Sequence, residues 1–369
     1  MNQNHSWIRQ SIIVPGIAFG LAAILALGSA NPSMNRLAQA KTEPVPVETA
    51  AGSTGVTLKA GTVPAASATG ATMTVVPKPK TASVPGKPLS PDIGKQWPNL
   101  AYAKQAQAQK LDLYLPKQGK GPFPVILMIH GGSFIAGDKR GPELKLGLQG
   151  LKRGYAVASM NYRLAGEAGF PAQIYDVKAA IRFLRANRSR YNLDGGKIGL
   201  WGVSAGGGLA ALAGTSGGPD ELSEKSLGNP SEPNRVQAVV DWYGPINLYT
   251  MEQQLYEKGG PLYSRIRQLG IILFGSRSKV SAEALAQCNP EMFISPDDPP
   301  FFIQHGTADP IVPVGQSKVF ADKLTLVLGK NKVTFEMIQG AGHGGTLFTK
   351  PKNIGKVFDF LDANLKAKP

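Results

Sequence analysis

The chain has 369 residues, of which 42% are hydrophobic and 18% charged, a balance that excludes a chain disordered throughout. Its formal net charge of +15 comes from scattered Lys and Arg residues. No zinc-finger, RNA-binding or arginine-rich helical signature accompanies this charge, so no nucleic-acid partner is expected. The single cysteine, Cys288, excludes an intrachain disulfide. We expect Cys288 to be a packed or partly exposed thiol rather than a nucleophile.

The first 40 residues have the pattern of an export signal. Residues 11–30 are nearly all apolar, Leu37–Ala40 supplies an A-x-A site, and no acidic residue occurs before Glu43. We expect cleavage after Ala40, with cleavage after Ala30 as an alternative. Because about 20 apolar residues can also span a bilayer, an uncleaved membrane anchor is a further alternative. The predicted location is therefore periplasmic, secreted or cell-envelope, with membrane or envelope association through the N-terminus if the segment is retained.

Residues 41–96 are rich in Pro, Ala and Thr and show no sustained period of 3.6 or 2. Prolines withhold the N–H donors that a strand ladder needs. We interpret this stretch as a disordered linker of partly polyproline-like character. The folded domain is predicted to begin at about Trp97 and to extend to residue 369.

Strands and helices alternate along that domain. An antiparallel pair is predicted at 100–103 and 110–115, followed by strands at 122–130, 155–162, 197–202, 236–243, 300–306 and 333–338. Helices are predicted at 174–191, directly after Ser204, at 315–328 and at 353–366. This alternation predicts an α/β fold with a mostly parallel sheet covered by helices on both faces. Residues 245–296 break the pattern and are expected to form a small helical cap.

The segment around Ser204 is the first candidate for chemistry. Gly202–Gly206 has the pattern G-x-S-x-G between a buried strand and a helix of small residues. A serine held on such a sharp turn needs neighbours without side chains, because the backbone folds back closely on itself. The turn would present the Ser204 hydroxyl at the carboxyl edge of the sheet.

Two further residues are expected at the same edge. Asp309 follows the strand at 300–306, and His343 follows the strand at 333–338 in a glycine-rich loop. A serine hydroxyl needs an adjacent imidazole base, and a carboxylate orients that imidazole. These residue types predict a Ser204–His343–Asp309 triad, with Asp241 as the rival acid at another strand end.

A glycine pair follows the strand at 122–130. Backbone N–H groups of Gly131 and Gly132, together with that of Ala205, are predicted to form an oxyanion hole. Phe134, Trp242 and Tyr243 either line the substrate pocket or pack in the core. His130 is expected to brace the glycine loop, His305 to be a satisfied core residue, and Asp176 to pair with a nearby loop through Arg163.

Several motifs together resemble the α/β-hydrolase carboxylesterases of the hormone-sensitive-lipase-like group, and especially the bacterial feruloyl-acetyl-xylan-esterase-like (BD-FAE-like) branch. The matching stretches are LDLYLP (111–116), HGGSF (130–134), NYRL (161–164), YDVKAAIRFLRAN (175–187), WGVSAGG (201–207), DWYGP (241–245), HGTADPIVP (305–313) and GAGHG (340–344). The order Ser, Asp, His also matches that fold. Ser133 departs from the pattern, since many members have a third glycine there.

The resemblance implies a serine carboxylic-ester hydrolase acting on short-acyl or aromatic esters, free or linked to a polysaccharide. Such an enzyme works through an acyl-enzyme and needs neither a metal nor an organic cofactor. Two alternatives are a serine peptidase of the prolyl-oligopeptidase type and a catalytically inactive hydrolase fold used for binding. The peptidase is less favoured because residues 41–99 are too few to form a gating domain.

Overall fold

The structure is a computed structural model of the chain, and it describes residues 89–218, 221–257, 273–274 and 280–366. The predicted export signal (1–40) and most of the predicted linker lie outside the described residues. Within these described ranges, no helix is long and apolar enough to cross a membrane. The division into signal, linker and cap stays a prediction.

The described residues form one eight-stranded sheet. Its strands are β1 (Ile93–Ala101), β2 (Lys110–Pro116), β3 (Phe123–Ile129), β4 (Ala156–Met160), β5 (Leu193–Val203), β6 (Ala238–Trp242), β7 (Phe301–Gly306) and β8 (Val333–Ile338). Their order in the sheet is β1-β2-β4-β3-β5-β6-β7-β8. The strand β2 runs antiparallel to β1 and to β4, and all other neighbouring strands pair in parallel.

Helices connect the parallel strands, as the alternation predicts. The α-helices of the described residues are α1 (Leu144–Gly147), α2 (Ala172–Ala186), α3 (Arg188–Tyr191), α4 (Ala205–Thr215), α5 (Leu248–Glu257), α6 (Ala282–Gln287), α7 (Gly315–Leu328), α8 (Thr346–Thr349) and α9 (Pro351–Leu365). Short 3-10 turns cover Leu148–Arg153, Lys225–Leu227 and Pro290–Met292. The predicted α/β fold with a mostly parallel sheet is confirmed.

The sheet begins earlier than the sequence predicts. The strand β1 starts at Ile93, so residues 93–96 belong to the sheet and not to the linker. Most β1 side chains are exposed, because this strand lies at the sheet edge and pairs only with β2. An exposed edge strand has no continuous apolar run, and this absence explains why the pattern places the boundary at Trp97.

Apolar clusters cover both faces of the sheet. Every residue of β4 is buried, and β3 exposes only Pro124 in part, as expected for strands covered on two sides. On one face α2 contributes its predicted apolar stripe of Ile174, Val177, Ile181 and Leu184. Burying each such side chain stabilises the fold by about 1.5–3 kcal/mol. On the other face α9 packs beside Trp201 and Trp242. This packing fixes the strand ends that carry the polar residues.

Two predicted structural contacts are confirmed. Arg163 donates from Nη2 to Oδ1 of the fully buried Asp176 at 2.8 Å, which ties the loop after β4 to α2. The Nδ1 atom of His130 lies 2.7 Å from the carbonyl oxygen of Gly131, and its ring stacks on Tyr162 with 4.4 Å between centroids. Both contacts hold loops at the carboxyl edge of the sheet.

Candidate active site

Ser204 occupies a strained turn between β5 and α4. Its backbone has φ 56° and ψ −123°, a conformation that costs a non-glycine residue free energy. A Cβ atom on Gly202 would lie 2.0 Å from the carbonyl oxygen of Gly206, so the G-x-S-x-G glycines are required by close backbone approach. The N–H of Ser204 donates to the carbonyl oxygen of Trp242 at 2.9 Å, which ties the turn to the end of β6.

His343 lies between Ser204 and Asp309. Its Nε2 is 2.7 Å from the Ser204 hydroxyl oxygen, and its Nδ1 is 2.7 Å from Oδ2 of Asp309. Because an ionised carboxylate only accepts, Nδ1 carries the hydrogen and Nε2 is left to accept from the serine hydroxyl. The structure therefore brings these three predicted residues together in the order that a nucleophile, a base and an orienting acid require.

Asp309 is surrounded by donors. Its Oδ1 accepts from the backbone N–H groups of Ile311 and Val312 at 2.8 and 3.0 Å. Its Oδ2 faces Nδ1 of His343 at 2.7 Å and Nε2 of His305 at 3.2 Å. Burial alone would raise the pKa of Asp309, but the hydrogen bonds from His305 and His343 hold that pKa well below its ordinary value. Asp309 is thus held as a carboxylate.

Asp241, the rival acid, has no hydrogen bond to His343 among the described contacts. It is fully buried at the end of β6, where Oδ1 accepts from the N–H of Gly244 at 2.9 Å. Its Oδ2 is buried and has no hydrogen-bond partner among the described residues. Burial raises the pKa of Asp241 to about 6, against a smaller opposing effect of His305. Of these two acids, Asp309 is the one that is hydrogen-bonded to His343.

The loop after β3 lies against Ser204, where the sequence predicts the oxyanion hole. A Cβ atom on Gly131 would lie 3.2 Å from Cβ of Ser204, so the two residues are in contact. Ser133 and Phe134 both have positive φ, 54° and 62°, which turns the loop sharply. Ala205 is the first residue of α4, so its N–H has no partner within the helix. The predicted donors therefore come from the two segments that adjoin Ser204.

The three aromatic residues take three different positions. Phe134 lines a small apolar cavity beside α4. Tyr243 is buried and packs its ring against His343 with 4.7 Å between centroids. Trp242 takes the second of its two expected positions, in the core, because it is only 1% exposed and packs edge-on against Trp201. Successive residues of a strand point to opposite faces, so Trp242 turns away from the site into the core.

A small cavity near Ser204 is a feature that the sequence does not predict. Its free volume is about 20 Å³, and Phe134, Phe170, Gly208, Leu209, Leu212, Pro245, Ile246, Leu248, Leu273 and Cys288 line it. The N–H of Gly208 donates to the carbonyl oxygen of Ser204 at 3.1 Å, so the cavity begins one helical turn from Ser204. Burial raises the pKa of the Cys288 thiol to about 12, which keeps it protonated and unreactive.

Family membership follows from comparison with known proteins. The sequence model of the BD-FAE family matches residues 111–324, which is more than half of the chain. The chain belongs to the BD-FAE family. A solved carbohydrate esterase from gut microbiota, in truncated form, is 32% identical with a TM-score of 0.63, and the match covers 74% of this chain and 96% of that one. The α/β-hydrolase fold expected from the motifs is thereby confirmed.

Curated relatives of this BD-FAE chain are named as ester hydrolases. The probable carboxylic ester hydrolase LipM of Mycobacterium tuberculosis is 29% identical over 231 residues, which are 62% of this chain and 52% of LipM. The isoprenylcysteine alpha-carbonyl methylesterase ICME of Arabidopsis thaliana is 29% identical over 274 residues, which are 73% of this chain and 62% of ICME. The chain thus spans about half of LipM and three fifths of ICME.

Proposed function

We propose that this chain is a carboxylic ester hydrolase that works through a covalent acyl-enzyme. The observation that carries the proposal is the unbroken contact from Ser204 through His343 to Asp309, with 2.7 Å at each hydrogen bond. Family membership and the names of the relatives support ester bonds as the target.

In the proposed reaction, Oγ of Ser204 attacks the ester carbonyl carbon while Nε2 of His343 takes the hydroxyl proton. The carbonyl oxygen becomes an oxyanion, and N–H groups of Gly131, Gly132 and Ala205 stabilise it. The imidazolium of His343, held by the Asp309 carboxylate, then protonates the leaving alcohol. A water molecule deprotonated by His343 attacks the acyl-serine, which releases the acid and restores Ser204.

The cavity favours a short aliphatic acyl group. A free volume of about 20 Å³ barely exceeds the space that one water molecule needs, and its lining is apolar. An acetyl or propionyl chain suits such a space better than an aromatic acyl group. The carbohydrate esterase named above supports a saccharide as the alcohol part, so we propose short-acyl saccharide esters as substrates.

The decisive test is hydrolysis of a p-nitrophenyl ester series from acetate to octanoate. The wild type is expected to prefer the two shortest esters, and Ser204→Ala is expected to lose about a millionfold in kcat. A fluorophosphonate probe is expected to label the wild type and not this variant. Full hydrolysis by Ser204→Ala would overturn the proposal.

The acyl assignment has its own variant pair. Leu212→Ala enlarges the cavity and is expected to move the preference toward longer acyl chains. Leu324→Ala, in α7, removes an equally buried leucine that does not line the cavity. An unchanged preference for acyl-chain length in both variants would show that the acyl group binds outside this cavity.

Export is a separate part of the proposal, and it is supported by the apolar residues 11–30 and the A-x-A site at 38–40. Fractionation of cells expressing the full chain, followed by N-terminal sequencing, is expected to find an exported protein beginning after Ala40. A cytoplasmic protein with its N-terminus intact would contradict this.

A further inference from the structure

A second histidine contacts the acid of the proposed triad. His305 is fully buried at the end of β7, and its Nε2 lies 3.2 Å from Oδ2 of Asp309 and 2.8 Å from the carbonyl oxygen of Val312. Both of these oxygens only accept hydrogen bonds when Asp309 is ionised. The hydrogen of a neutral His305 ring must therefore reside on Nε2, where it donates to the carbonyl oxygen of Val312 and lies beside the carboxylate of Asp309.

The other end of the same ring is also held. Nδ1 of His305 lies 2.7 Å from Oγ of Ser317, a fully buried residue of α7. With the hydrogen on Nε2, Nδ1 of a neutral ring accepts from the Ser317 hydroxyl. The remaining groups that face His305 are the ring of Tyr243, edge-on at 6.4 Å, and the buried carboxyl of Asp241. Neither of them is hydrogen-bonded to His305 among the described contacts.

We propose that His305 is a positioning residue for Asp309, with Ser317 fixing the His305 ring. This inference rests on the proposed function. Two backbone N–H groups donate to Oδ1 of Asp309, and two imidazole rings face Oδ2, with His343 hydrogen-bonded at 2.7 Å and His305 at 3.2 Å. Without His305, Oδ2 retains His343 alone, and the carboxylate is free to rotate away from the orientation that aligns His343 with Ser204. Loss of His305 is therefore expected to lower kcat and not to change KM, because substrate binding involves neither His305 nor Ser317.

The test compares His305→Leu with His305→Gln. A glutamine amide can place an N–H near the position of the imidazole Nε2, whereas leucine fills the space without a donor. His305→Leu is expected to lower kcat about tenfold with KM within about twofold, which is the size of one lost hydrogen bond to a charged group. His305→Gln is expected to recover most of the loss. Equal losses in both variants, or full activity of His305→Leu, would overturn the proposal.

A double-mutant cycle distinguishes positioning from a general structural effect. If His305 acts through Asp309, the tenfold loss is expected to vanish when His305→Leu is combined with Asp309→Asn. An equal loss of kcat from His305→Leu in the wild type and in the Asp309→Asn variant would refute the inference.

A readout independent of activity completes the test. The chain has four histidines, His5, His130, His305 and His343, so ring signals of ¹⁵N-histidine protein can be assigned by single substitutions. A protonated Nε2 on His305 is expected, and a protonated Nδ1 with bare Nε2 would overturn the proposal. If the wild type shows that signal but hydrolyses no ester, the proposed function fails and not the assignment of the His305 tautomer.

Discussion

Asp241→Asn is expected to change the pH dependence of stability while leaving the proposed triad intact. Burial raises the pKa of Asp241 to about 6 in the folded chain. An unfolded aspartate has a pKa of about 3.9, so the folded chain holds this proton more tightly. The ionised carboxyl therefore destabilises the fold increasingly as pH rises from about 4 to 6. A difference of about two pH units corresponds to about 3 kcal/mol of stability lost at neutral pH.

Urea unfolding of both proteins between pH 4 and pH 8 measures this effect. The variant has no proton to lose, so its free energy of unfolding relative to wild type should improve by about 2–3 kcal/mol between pH 4 and pH 7.5. Any constant cost of burying an amide beside the Gly244 N–H cancels in that difference. Ester hydrolysis should be retained, since no hydrogen bond among the described residues joins Asp241 to His343. A difference that is flat with pH would refute the argument.

Asp309→Asn is the matched control, with the opposite sign. The pKa of Asp309 is held below its ordinary value, so its ionised form stabilises the fold at neutral pH, and this contribution is lost as pH falls below about 3.9. The free energy of unfolding of the variant should lie furthest below that of the wild type at neutral pH. This difference should shrink as the pH falls. Its kcat should fall about 10⁴-fold, because the imidazole loses the partner that fixes its tautomer. Retained activity here with loss in Asp241→Asn would reverse the assignment.

Three further substitutions test individual contacts. Trp242→Phe should leave KM for p-nitrophenyl acetate unchanged, because the indole lies in the core; a severalfold rise in KM would return Trp242 to the substrate site. Gly131→Ala places a Cβ 3.0 Å from the carbonyl oxygen of Val203, and we expect kcat to fall by about tenfold with the circular dichroism spectrum preserved. Ser133→Gly relieves a positive φ of 54° and should raise the free energy of unfolding by up to about 1 kcal/mol; a loss of stability in urea would contradict this.

The sequence was sufficient for the fold and for the residues at strand ends. Continuous apolar runs located β3 to β7, and each polar residue that follows such a strand lies at the same edge of a parallel sheet. This rule predicts the positions of Ser204 and Asp309, and the glycine-rich loop after β8 predicts that of His343. The core position of Trp242 agrees with strand alternation, which puts it on the opposite face from Asp241.

The remaining contacts depend on distances between elements, which a sequence pattern does not contain. Ser317 lies on a helix whose spacing predicts only an amphipathic face, and nothing local indicates that its hydroxyl meets His305. The cavity beside α4 combines side chains from the loop after β3, from α4 and from the segment after β6. Such a space exists only once those segments pack together. The sequence pattern predicts only the end of β1, because the exposed side chains of this strand have no apolar period.

The strand pairing around β6 bears on how relatives come to differ. The chain leaves the sheet after Trp242 and returns at Phe301, yet β6 and β7 are direct neighbours in register, with Val239 opposite Phe301. Residues 243–300 thus form a connection between β6 and β7 whose length the sheet does not constrain. Ser204, Asp309 and His343 all lie outside it. Evolution could lengthen or replace this connection without moving a single proposed catalytic group. Ester preference would then vary between relatives while the catalytic chemistry stays the same. Exchange of residues 246–296 between family members would test whether ester preference follows this connection.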